Sequence, residues 1–72
     1  MDMDEQWEKI FSSTALYRVE MLKALLEEQN IIGVIINKQD SSYLIFGEIE
    51  LYVKRDDILK AKFIVNKFLE RE

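Results

Sequence analysis

A chain of 72 residues with 49% hydrophobic and 33% charged residues, two glycines and no proline has the composition of one small ordered domain, which excludes intrinsic disorder as its main state. It contains no cysteine and no histidine, so disulfides, thiol nucleophiles, imidazole bases and the usual zinc or iron-sulfur ligand sets are missing. That argues against a hydrolase or metalloenzyme, and no cofactor is expected. Fourteen acidic against ten basic residues give a net charge of −4; with the basic residues scattered, no nucleic-acid partner is expected.

Residues 1–6 read as an acidic, flexible N-terminus, and residues 7–72 as one α+β domain. The opening Met1-Asp2-Met3-Asp4-Glu5 has neither the basic region nor the apolar core of a secretory signal. No apolar run approaches the roughly 18 residues needed to cross a bilayer. The expectation is a cytoplasmic protein with no membrane partner.

The periodicities run strand, helix, strand, strand, helix. Trp7 to Phe11 form a first strand with both aromatics on one face. Ser12-Ser13-Thr14 supply three candidate helix caps. From Ala15 to about Gln29, the residues Ala15, Val19, Leu22 and Leu26 fall in one narrow sector at 100° per residue, the spacing of a core-facing stripe. Asn30 is a helix stop. Ile31-Ile32-Gly33-Val34-Ile35-Ile36 is a β-branched run that predicts a strand apolar on both faces. After the polar connection Asn37–Ser42 and the apolar stretch Tyr43–Phe46, Glu48 to Lys54 alternate strictly. Ile49, Leu51 and Val53 take one face, and the charged residues with Tyr52 take the other. Asp56 or Asp57 then caps a second helix with Ile58, Ala61, Val65, Phe68 and Leu69 gathered on one side.

The simplest packing of these elements is a β-α-β-β-α two-layer sandwich: a three-stranded antiparallel sheet of order 2-3-1 with two helices on one face. This is a ferredoxin-like unit without its last strand, and its first strand has a free edge.

More apolar surface is present than two layers hide. Tyr17, Met21 and Ala24 repeat at i, i+4, i+7 opposite the core stripe of the first helix. Together with Trp7, Phe11 and Tyr52 they are the candidate interface residues of a homodimer. The alternative is that Tyr43 to Phe46 fold back over the open sheet face within one chain.

Asn37, Lys38, Gln39, Asp40, Ser41, Ser42 and Tyr43 place seven hydrogen-bonding side chains in succession between two strands. They are the candidate site for a small polar metabolite or a protein partner. Turn chemistry alone also explains them, since Asn, Asp and Ser bond their own backbone. Catalysis by Lys38, Asp40, Ser41 or Tyr43 would need an activating neighbour that spacing does not reveal, so a non-enzymatic role is expected. Glu48 and Glu50 share a strand face and read as solubility devices rather than as a metal site. Trp7 reads as a core or interface anchor rather than as a base-stacking platform.

The run Trp7–Thr14, the helix Val19–Glu28, the segment Asn37–Tyr43 and the glycine-led strand Phe46–Val53 together resemble the putative prokaryotic signal-transducing protein family, a family of small domains with no assigned activity. The resemblance spans roughly residues 7 to 69. It implies a bacterial, cytoplasmic domain of ferredoxin-like character, similar to nitrogen-regulatory signalling proteins, with a regulatory role. It brings no functional residue to carry over. The alternative function is a structural homodimerisation module with an inert loop.

Overall fold

The computed structural model describes residues 6–38 and 47–71. In chain order the elements are strand β1 (Trp7–Ser13), helix α1 (Leu16–Glu28), strands β2 (Gly33–Asn37) and β3 (Ile49–Lys54), a 3-10 turn at Arg55–Asp57, and helix α2 (Ile58–Glu70). The sheet order is β1-β3-β2 with both pairings antiparallel. This is the ferredoxin-like α+β sandwich expected from the sequence.

β3 is central because its alternation suits a strand bonded on both edges and buried on one face. Ile49, Leu51 and Val53 are fully buried and meet Val19, Leu22 and Leu26 of α1 and Ala61, Val65 and Phe68 of α2 in one cluster. Burying each large aliphatic side chain contributes about 1.5–3 kcal/mol, an upper range because unfolded chains already hide part of this surface. Leu69, expected in the α2 stripe, is 45% exposed instead. It lies at the margin of the helix face, one residue beyond Phe68, which takes the buried position.

α1 ends as Asn30 anticipates. Asn30 adopts the left-handed conformation, φ 64°. Its N–H donates to Glu27 O at 3.0 Å, and the Ile31 N–H donates to Leu26 O at 3.0 Å. This is the paired-bond stop that satisfies the last carbonyls of a helix, with the following apolar residue packed inward; Ile31 is accordingly buried. β2 therefore begins at Gly33 rather than Ile31, since Ile31 serves the helix stop. β2 is apolar on both faces, as predicted.

Two expectations at the start of the chain are corrected. Ser12 and Ser13 do not cap α1: they extend β1, opposite Glu50 and Ile49. Ala15 occupies the cap position without a side-chain bond, while Ser13 Oγ accepts the Ala15 N–H at 3.0 Å. Pairing with the central strand satisfies more backbone groups than an earlier helix start would. Likewise, Asp57 takes the cap position of α2 but makes no side-chain capping bond.

The second correction concerns Trp7 and Phe11, which do not share a face. Lys9 lies opposite Tyr52 and Phe11 opposite Leu51, so two residues of β1 advance against one of β3. The extra residue is Ile10. Such a bulge reverses the inward and outward alternation beyond it. Ile10 and Phe11 therefore both pack toward the core, while Trp7 and Lys9 take the opposite face. Phe11 meets Phe68 edge-on with ring centroids 5.9 Å apart, and the Arg18 guanidinium lies 5.6 and 5.9 Å from the two rings.

Candidate functional site on the far face of the sheet

Residues directly opposite one another in an antiparallel pair share a face, so the ladder fixes what stands on the side away from the helices. β1 contributes Trp7, Lys9 and Ser12, β3 contributes Glu50, Tyr52 and Lys54, and β2 contributes Val34 and Ile36. We call this the far face. Its rows combine aromatic, aliphatic and charged side chains.

Glu50 is the hub. Although flanked by alternating polar residues in sequence, it is only 9% exposed, which corrects its reading as a solvated solubility device. It is buried because β3 is central, with the long side chains of Lys9 in β1 and of Lys38, just after β2, reaching to it. The Tyr52 hydroxyl donates to Glu50 Oε1 at 2.8 Å. Lys9 Nζ lies 3.5 Å from Oε2, and Lys38 Nζ lies 3.4 Å from Oε1. A carboxylate removed from water is stable only with such partners. The two ammonium groups come from opposite edges of the sheet, so the network ties β1 and the end of β2 to the centre.

The electrostatics follow from these contacts. The hydrogen bond from Tyr52 holds the Glu50 carboxyl below its ordinary value of 4.5; the charges of Lys38 and Lys9 add to this, against an opposing contribution from burial. Tyr52 is pushed above its ordinary 10.0, first by donating to Glu50 and then by burial and the carboxylate charge. At the other end of the face, Lys54 Nζ sits 6.0 Å from the centre of the Trp7 ring.

Of the seven loop candidates, Asn37 is the last residue of β2 and Lys38 follows it. The Lys38 N–H donates to Glu48 O at 3.2 Å, so Lys38 and Glu48 form the stem from which the connecting segment leaves. Gln39, Asp40, Ser41, Ser42 and Tyr43 lie outside the described residues, as do Leu44 to Phe46 with the proposed fold-back, and Met1 to Glu5. Lys38 thus joins the loop candidates to the far face.

The interface candidates separate. Trp7 and Tyr52 are half-buried on the far face, and Phe11 is held against Phe68 on the helix side. Tyr17, Met21 and Ala24 are exposed on α1, with Tyr17 67% and Met21 53% accessible. Lys9 and Glu50 escaped the sequence reading as site residues, because their proximity depends on strand register. Leu59 and Phe63 also escaped it; their i, i+4 spacing opposite the α2 core stripe was the signal available.

Among the described residues no cluster of acidic residues could hold a metal ion, and no helix is long and apolar enough to cross a membrane. No curated protein and no solved structure matches the chain. One protein family does, over residues 7–68, which among the described residues include β1, β2, β3, all of α1 and α2 as far as Phe68. On that match, which takes in Lys9, Lys38, Glu50 and Tyr52, the chain belongs to the putative prokaryotic signal-transducing protein family.

Proposed function

We propose that this chain is a non-catalytic regulatory domain that recognises a small polar ligand through the far face of its sheet and the adjoining segment 38–43. The supporting observation is the Glu50 network. One nearly buried carboxylate neutralises part of two ammonium groups whose side chains remain 47% and 56% exposed. A ligand carrying a carboxylate or phosphate could complete the coordination of Lys9 and Lys38 while an apolar portion lies along Val34 and Ile36. Recognition sites commonly combine such an apolar surface with a few polar groups that fix orientation. A regulatory role accords with the signal-transducing description of the family.

Titrating the isotopically labelled protein with metabolite-sized carboxylates and phosphates, read by NMR, tests this. Shifts should concentrate at Lys9, Lys38, Glu50 and Tyr52. Combined substitution of Lys38, Asp40 and Ser41 by alanine should abolish them with little change in melting temperature. Saturable binding that leaves the far-face resonances unmoved would overturn the reading, and collapse of the triple variant would mark the segment as structural.

A second reading, a homodimerisation module, is favoured by the exposed Tyr17 and Met21 on α1. It predicts a dimer whose mass by light scattering halves in Tyr17→Lys or Met21→Lys. An unaltered mass in both variants would eliminate this interface.

A further inference from the structure

The side of the molecule opposite the far face carries an independent feature. A groove of about 630 Å³ runs between α1 and α2, within the usual range for binding clefts. Leu25 forms part of one wall, and Leu59 and Phe63 line the other. Leu59 is 85% and Phe63 62% exposed. Four residues apart on α2, they stand on the same side of the helix. They contribute little to the core, and α2 presents them outward.

The groove's charge is opposite to that of the chain. The protein carries a net −4, yet among the described residues Lys60, Lys67 and Arg71 line the groove with Glu28 as the one carboxylate. Among the described residues none of the three cations is engaged in an ion pair. The Lys67 ammonium lies 5.2 Å from the centre of the Phe63 ring, which places a positive charge beside one of the two exposed apolar side chains of the groove. From residue 59 to residue 71 the α2 wall is about 18 Å long at 1.5 Å per residue, matching a partner helix of about three turns.

We propose that this groove is a docking site for an acidic amphipathic helix of a partner protein, its apolar face on Leu59 and Phe63 and its carboxylates on Lys60, Lys67 and Arg71. Helices commonly bind grooves in this way, through apolar anchors one turn apart with charge at the rim. Charge complementarity selects this occupant over a second copy docked groove to groove. A twofold-related copy docked groove to groove would bring the same cationic rim against itself, because such an interface uses one patch on both subunits. The domain then has two recognition surfaces on opposite sides of one sheet, and the helical one does not depend on the far-face reading.

The probe is a fluorescently labelled synthetic three-turn helix with leucines on one face and glutamates on the other, added to the full chain and followed by anisotropy. Its control carries lysine at every glutamate position. The acidic peptide should bind saturably and weaken as salt rises, while the lysine peptide should not bind. Lys67→Glu and Phe63→Ser should each reduce affinity by about tenfold or more, and Glu50→Gln should leave it unchanged. Circular dichroism checks that the variants fold; Lys67→Glu replaces an exposed side chain and carries the test if Phe63→Ser does not fold. Equal affinity for the two peptides, absence of saturable binding, or a dimer by light scattering that Lys67→Glu dissociates would each overturn the proposal.

Discussion

Tyr52 donates its hydroxyl to Glu50 Oε1 at 2.8 Å, so two far-face side chains of the central strand share a bond that is sensitive to protonation at either end. Because the folded Glu50 carboxyl titrates below its ordinary 4.5, the network's contribution to stability is complete above about that pH. It is lost as pH falls through the folded value. At the alkaline end, Tyr52 is raised above 10.0, so its contribution is complete below pH 10 and is lost as pH rises through the folded value. Glu50→Gln should flatten the acid side of the stability profile, and Tyr52→Phe the alkaline side, both measured by urea unfolding across pH. Profiles parallel to wild type in both variants would show that the network does not couple folding to protons.

Leu22 is fully buried at the centre of the helix-sheet interface. Leu22→Ala should cost about 2–5 kcal/mol, from lost transfer energy and the cavity left behind. For a domain this small that is a large part of the total stability. Urea unfolding measures it, and a loss below about 1 kcal/mol would contradict the packing described.

Asn30 holds the left-handed position that ends α1. Asn30→Gly should be tolerated or slightly stabilising. Asn30→Val should cost about 1–2 kcal/mol, because a β-branched side chain clashes with its own backbone there. Thermal melts of the pair should separate, with the valine variant lower; coincident melts would place the helix stop elsewhere.

Gly33 faces the core opposite Val53. A Cβ built on it would lie 3.1 Å from Leu51 Cδ1, 3.5 Å from Lys23 Cγ and 3.7 Å from Leu26 Cδ1. Gly33→Val should destabilise by about 1–3 kcal/mol through overpacking, despite the better strand propensity of valine. A denaturation midpoint equal to or above wild type would mean that Leu51 has room to move.

Much of the architecture was legible because it rests on local periodicity. The strict alternation of Ile49, Leu51 and Val53, the stripe Val19-Leu22-Leu26 and the stop at Asn30 each follow from side-chain direction or backbone conformation within a few residues. The candidate site was legible only at one margin. Lys38 was singled out as part of a polar segment, whereas its contact with Glu50 joins residues from different strands. Lys9 belongs to a stretch that carries no site signal of its own.

The sequence by itself determined the order of the described elements and the face of each helix that is buried, since these depend on patterns repeated along a continuous segment. Tertiary structure decided the rest. The bulge at Ile10 sends Trp7 and Phe11 to opposite faces, because the count of residues between bonded partners is set by the neighbouring strand. Glu50 changed from an apparently solvated glutamate to a nearly buried hub because burial depends on what lies across the sheet. The cationic groove arose in the same way: Leu25 belongs to one helix and Lys60, Phe63 and Lys67 to the other, and only their packing makes them one surface.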